Sequence, residues 1–268
     1  MESNEGNEVR LVGGNDSEVV RVGSTVRRTS RPWSPAVRWF LEHLHAQGFD
    51  GAPRFLRVDE RGRDVLTFME GDVGNYPLTA AMTSDVALQN SADLVRQFHL
   101  AQKLDVAEIA ALPWRNQYDD PERWEVICHN DIAPYNLVYS DGVPSSMIDF
   151  DNAGPGPRVW DVAHAAYRLV PLSSDAHCQV FGWQTKPDRP RRLQMFIDRY
   201  GLLTSDDKRE LLDSVVTQLS QFRNSILERA ALGDPGVATQ VRENHAASYE
   251  ADLNFIDQER ANWQRAIS

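Results

Sequence analysis

Between Val126 and Asp161 the chain reads V-I-C-H-N-D-I-A-P-Y-N-L-V-Y-S-D-G-V-P-S-S-M-I-D-F-D-N-A-G-P-G-P-R-V-W-D. His129, Asn130, Asp131 and Asn136 fall in one polar stretch, and Asp149 follows the apolar pair Met147-Ile148. Asp131, Asn136 and Asp149 together offer two carboxylates and an amide oxygen. Those are hard ligands of the kind Mg²⁺ prefers. Such a set suits phosphoryl transfer. That reaction asks the protein for metal ions on the phosphates and for a carboxylate that orients and deprotonates the attacking hydroxyl.

The three residues are far apart in sequence, so the elements around them must bring them together. The apolar runs Val126–Cys128 and Leu137–Tyr139 predict strands, and Met147-Ile148 a third. Asp141-Gly142 predicts a hairpin turn between the last two. Polar residues then gather at strand ends, where functional groups are held by a rigid scaffold. Taken singly, Asp131 reads as a turn or helix-cap residue, Asn136 as a loop amide, and Asp149 beside Asp151 as a solvated acidic turn. Their joint order and spacing favour the chemical reading.

The H-x-D-x-x-x-x-N spacing, followed by a strand ending in I-D, resembles the aminoglycoside phosphotransferase and choline kinase branch of the protein-kinase-like fold. The resemblance implies that Asp131 is the catalytic base and that Asn136 and Asp149 hold Mg²⁺. The Trp160-Asp161 pair also matches that branch, in which the Asp is buried and braces the catalytic loop. His129 is then a structural imidazole fixing the loop, since Asp131 already supplies the base.

Composition narrows the alternatives. The chain has 268 residues, 41% apolar and 25% charged, enough for one large domain or two lobes. No apolar run is long enough to span a bilayer. The first residues lack the basic and apolar regions of a signal peptide, and Cys128 and Cys178 alone make no disulfide framework. The expectation is a cytoplasmic protein without membrane association. No Cys/His group has zinc spacing. The net charge of −11 argues against nucleic-acid binding. It serves solubility and would also draw a cationic substrate. The basic cluster from Lys186 to Arg192 reads as a solvated loop and helix start.

From the beginning, Val9–Val12, Glu18–Val22 and Thr25–Arg28 predict strands. Gly13-Gly14 between the first two is either a plain hairpin turn or the phosphate-covering loop that the resemblance implies. A helix is expected from Ser34, with Ser as N-cap and Pro35 at the first helical position. Its apolar stripe is Val37, Phe40, Leu41 and Leu44, ending at Gly48. Two strands follow around Arg61-Gly62. Phe68-Met69-Glu70-Gly71 would be the hinge to which a nucleobase pairs, and Leu66–Met69 equally reads as a core strand.

The resemblance also implies a lysine on the third strand and a helix glutamate holding it. The chain's lysines are Lys103, Lys186 and Lys208, so none is available there. Arg28 is the substitute, and Glu42, opposite the apolar stripe, reads as a surface residue with an ion pair to Arg28 as the alternative. Ser84–Gln102 predicts a long helix. Beyond Asp161 the chain reads as helical, with a helix start at Thr204-Ser205-Asp206-Asp207 and a break at Gly233-Asp234-Pro235.

The resemblance thus implies an α+β, bilobal protein-kinase-like fold. Residues 1–71 would be a small β-rich lobe covering the nucleotide, and residues 72–268 a mostly helical lobe with the catalytic loop and acceptor helices. It implies Mg²⁺-dependent transfer of the γ-phosphoryl of ATP or GTP to a small-molecule hydroxyl, such as that of an antibiotic. Asp149-Phe150-Asp151 lacks the glycine of D-F-G and no A-P-E follows, which sets protein kinases aside. A binding protein of the same fold without turnover, acting in resistance or immunity, is the second class.

Overall fold

Residues 8–11 and 19–268 are described by the structure, a computed structural model. Gly13 and Gly14 lie outside the described residues. Two units divide the chain, residues 1–75 with 94–157, and residues 76–93 with 158–268.

The first unit carries every strand of the described residues. β1 (Val9–Arg10), β2 (Val19–Val22), β3 (Thr25–Thr29), β4 (Phe55–Val58) and β5 (Arg63–Thr67) form an antiparallel sheet in the order β1-β2-β3-β5-β4. Between β3 and β4 lies helix α1 (Ser34–Ala46), which buries the expected stripe of Val37, Phe40, Leu41 and Leu44, and Ala36 beside it. Its N-cap is Trp33 rather than Ser34, because the Ser34 hydroxyl is turned back to accept from Arg31 N–H at 2.9 Å. Glu42 is exposed.

After β5 the chain crosses to β6 (Asp72–Val73). The crossing needs glycine at Gly71. Its φ is +138°, and a Cβ there would stand 2.5 Å from the Tyr139 carbonyl oxygen. Helix α2 (Asp85–Leu100) contributes Leu94, Val95 and Phe98 to the core of this unit. A short helix α3 (Val106–Ala110), capped by Asp105, precedes β7 (Val126–Cys128).

β8 (Leu137–Ser140) and β9 (Val143–Met147) form the expected hairpin, and β6 pairs with the outer side of β8. Asp141 and Gly142 both have positive φ, 52° and 78°, as a two-residue turn matched to strand twist requires. β7 pairs with β10 (Gly154–Gly156), a Gly-Pro-Gly segment with no strand-like pattern.

The second unit is helical: α4 (Arg158–Leu169), α5 (Asp175–Val180), α6 (Arg189–Tyr200), α7 (Ser205–Ala231), α8 (Ala238–Arg242) and α9 (His245–Ile267). Thr204 and Asp207 form a reciprocal capping box on α7. Leu211, Leu212, Val215, Leu219 and Ile226 are its buried stripe, and α7 packs on α4 and α9.

The basic cluster differs from the sequence expectation. Arg189 and Arg192 are buried, because they cap the carbonyls at the end of α4 and after it. Arg189 donates to Pro171 O and Ser173 O, and Arg192 to Val170 O and Leu169 O, with Asp85 as its counter-charge at 2.8 Å. Burial pushes the Arg192 guanidinium down to about 10, against the pull of Asp85. Asp252, fully buried, accepts from Tyr167 at 2.7 Å, from Ser174 N–H at 2.8 Å and from His177 Nδ1. Among the described residues, no helix is long and apolar enough to cross a membrane.

Candidate active site

Asp131, Asn136 and Asp149 are brought together by the β8–β9 hairpin and the loop before it, all within the first unit. Leu137 pairs with Met147, and one residue further out Ile148 N–H donates to Asn136 O at 2.9 Å. Asn136 is therefore held one residue from Asp149 across the ladder. It ends a short 3₁₀ turn, Pro134–Asn136, and is 5% exposed. Its amide nitrogen donates to Asp131 O at 2.9 Å, so Oδ1 is the atom it can offer a cation.

Asp131 is half-buried, and Tyr135 donates a 2.8 Å hydrogen bond to its Oδ1. His129 is fully buried, with Nε2 3.0 Å from Ile148 O. A carbonyl can only accept, so Nε2 carries the proton. The imidazole thereby ties the loop of Asp131 to the residue before Asp149. Asn130, at φ 62°, donates to Asn152 O at 2.9 Å and closes the same two segments.

Asp149 has left-handed backbone angles, φ 62° and ψ 68°, and caps the 3₁₀ turn Phe150–Asn152. Phe150 is the anchor that holds it there. The ring is 2% exposed, 4.6 Å from His129 and about 6 Å from Phe40 and Phe98 in edge contacts. Among the described residues Asp149 accepts no hydrogen bond, and its ion pair with Arg28 is long, 3.8 Å. The carboxyl is open on one side, with 48% of the side-chain surface accessible, and hemmed in by protein on the other. The protein's withdrawal of water raises it above the ordinary aspartate value. The Arg28 charge opposes that rise, and the Asp131 charge adds to it.

Arg28 lies on β3 opposite Val19 on β2 and Asp64 on β5. Cross-strand partners share a face. Val26, opposite Arg21 and Leu66, therefore lines the same face two residues away. Val26 and Leu66 are thus apolar residues of the sheet face from which Arg28 reaches Asp149 and Asp151, with Arg21 opposite Val26 on β2. Phe68 and Glu70 are tied to β2, with the Arg21 guanidinium 3.6 Å over the Phe68 ring and 2.6 Å from Glu70. Among the described residues the main chain of Met69 makes no hydrogen bond.

The donor set fits Mg²⁺: one carboxylate without a hydrogen-bond donor, one amide oxygen oriented through its own nitrogen, and room for phosphate and water oxygens. Among the described residues, no group of three or more His, Cys, Asp or Glu side chains forms a metal site by itself. Asp161 is in the second unit, fully buried in the first turn of α4. Tyr135 and Asp151 were not singled out from sequence. A hydroxyl-bearing aromatic four residues after the loop aspartate was the available signal for the first. The second aspartate of D-F-D was the signal for the other.

Residues 78–211 match the family described as phosphotransferase enzyme family. The chain is 31% identical over 199 residues to the trifolitoxin immunity protein of Rhizobium leguminosarum bv. trifolii, covering 73% of this chain and 74% of that protein. Among solved structures, a choline/ethanolamine kinase family protein from Mesorhizobium loti has a TM-score of 0.64 at 14% identity, over 98% of this chain and 92% of that one. The GDP complex of wild-type aminoglycoside 2'-phosphotransferase-IIIa has a TM-score of 0.56 at 13% identity, over 96% and 93%. These likenesses show an α+β fold of the protein-kinase-like kind.

Proposed function

Because the chain belongs to the phosphotransferase enzyme family, we propose that it transfers the γ-phosphoryl group of ATP or GTP to a hydroxyl of a small molecule. The observation that carries the reading is the meeting of Asp131, Asn136, Asp149 and Arg28 in one unit. Asn136 Oδ1 and the Asp149 carboxylate are the residues to hold Mg²⁺. When bound, that ion supplies positive charge against the triphosphate.

Asp131 is the base. Its carboxylate, steadied at Oδ1 by Tyr135, accepts the proton of the acceptor hydroxyl. The hydroxyl oxygen forms the new bond to the γ-phosphorus, the bond from that phosphorus to the β,γ-bridging oxygen breaks, and nucleoside diphosphate leaves with the electron pair. Arg28 offers its fork to the phosphate oxygens. The apolar pair of Val26 and Leu66 suits a purine, with the main chain of Phe68, Met69 and Glu70 as its pairing edge. His129 holds the loop. Residues 1–71 cover the nucleotide, and residues 72–268 supply the catalytic loop and the acceptor helices.

For the acceptor, likeness in fold to a choline/ethanolamine kinase family protein and to an aminoglycoside phosphotransferase supports a hydroxylated metabolite or antibiotic. The name of the trifolitoxin immunity protein favours a second reading, in which a protein of this fold protects by binding without turnover. Release of ADP or GDP, measured with Mg²⁺ across aminoglycosides, amino alcohols, sugars and trifolitoxin, separates the two. Acceptor-dependent release supports phosphotransfer. Tight nucleotide or compound binding with no release across the panel supports the second reading.

A further inference from the structure

Arg28 is 7% exposed, and a guanidinium removed from water needs a carboxylate in good geometry. Helix α1 does not supply one. Glu42 is exposed, and the charged residue of α1 that faces the sheet is Arg38. Arg38 is itself held by Asp64, with Ser30 bonded to both. The polarity of the helix contact is therefore opposite to that of a lysine–glutamate pair.

The partners of Arg28 come instead from the turn after β9. Asp151, 9% exposed, places its Oδ1 against Nη2 as an ion pair, and among the described residues neither atom has a hydrogen-bond partner besides. Asp149 Oδ1 stands 3.8 Å from Nη1, with half its side-chain surface open. The two contacts differ in their surroundings, that with Asp151 enclosed by protein and that with Asp149 facing outward. Phe150, buried between the two aspartates, fixes the turn that carries both.

We propose that Asp151 is the positioning residue for Arg28, holding it through Nη2 as a phosphate clamp whose Nη1 faces the nucleotide. The inference rests on the nucleotide-binding reading above. The contact with Asp149 is the one Arg28 gives up when that carboxylate is engaged elsewhere. The contact with Asp151 persists and keeps the fork in one orientation, which an arginine needs to act on a phosphate.

The test is a double-mutant cycle on the full chain, with calorimetric binding of ATP and of adenosine in Mg²⁺. Wild type, Asp151→Asn, Arg28→Gln and the double variant are compared, with melting curves for each. Asp151→Asn should weaken ATP binding by about tenfold or more, as expected when a buried charge loses its counter-charge, with adenosine binding within about twofold of wild type. The double variant should bind ATP no worse than Arg28→Gln alone, and Asp151→Glu should recover part of the loss. Additive losses would overturn the inference. So would unchanged ATP binding in Asp151→Asn, or loss of its Mg²⁺ dependence alone, which would make Asp151 a metal ligand.

If Asp151→Asn does not fold because Arg28 is left without its partner, Arg28→Gln and the double variant still decide, since neither contains the guanidinium. Equal ATP affinity supports the inference and a further loss sinks it. A wild type that binds no nucleotide defeats the proposed function itself. A wild type that binds Mg²⁺-ATP as the Asp151→Asn variant does defeats the inference alone.

Discussion

Replacing Phe150 by alanine should cost the protein both stability and its grip on nucleotide. The ring is 2% exposed and packs on His129, Phe40 and Phe98. Core Phe→Ala changes cost roughly 3–5 kcal/mol, through lost transfer energy and the cavity left behind. Aromatic contacts add to that beyond their area, so the upper half of the range is expected. At roughly 2–4 °C per kcal/mol for a protein of this size, Tm should fall by roughly 8–20 °C. Urea unfolding followed by tryptophan fluorescence should move the midpoint with the slope unchanged. Phe150→Leu, which keeps most of the volume, should lose less. Because the ring sits between Asp149 and Asp151, the alanine cavity should also reduce the extra stabilisation given by Mg²⁺-ATP, beyond the general loss. A Phe150→Ala protein within about 1 kcal/mol of wild type, far below the core range, would refute the packing argument. Undiminished Mg²⁺-ATP stabilisation would refute its link to the site.

Asp149→Ala should abolish the difference between nucleotide stabilisation in Mg²⁺ and in EDTA, read as a thermal shift; an unchanged difference would remove Asp149 from the metal site. Arg28→Ala should weaken ATP binding more than adenosine binding by equilibrium dialysis, and equal losses would point to general disruption. For Asp252, burial raises the carboxyl, but hydrogen bonds from His177, Ser174 N–H and Tyr167 outweigh it and leave the group below its ordinary value. A depressed carboxylate stabilises above the unfolded value and loses that contribution as pH falls through the folded one. Asp252→Asn should therefore cost about 1.5–3 kcal/mol at pH 7, the scale of a hydrogen bond to a charged group. The gap to wild type should narrow as pH drops below about 4, and a gap constant with pH would contradict the assignment.

Local signals carried much of the architecture. Asp141-Gly142 predicts its turn because only a pair tolerant of positive φ suits a two-residue hairpin, and both residues have it. The α1 and α7 stripes and the Thr204 cap follow from helical spacing and cap chemistry. The hairpin that brings Asn136 beside Asp149 was legible for the same reason. Partner choice was not. Periodicity places Arg38 and Glu42 on a helix but says nothing of Asp64, which reaches Arg38 from β5. A proline-flanked basic run reads as solvated, and only the buried carbonyls at and after the end of α4 explain why Arg189 and Arg192 are buried. β10 is Gly-Pro-Gly, without side chains that alternate, so its pairing with β7 left no pattern to read.

The central claim is that Asp131 takes the proton from an acceptor hydroxyl. Asp131→Asn keeps size and the Tyr135 contact but cannot accept that proton. With an acceptor identified from the panel, nucleoside diphosphate release is measured for wild type and variant, with melting curves and Mg²⁺-nucleotide binding on the same preparations. The account predicts unchanged folding, nucleotide binding within a few-fold, and turnover lower by roughly a hundredfold or more, the scale of general-base catalysis. A folded Asp131→Asn protein that turns over as fast as wild type would contradict it.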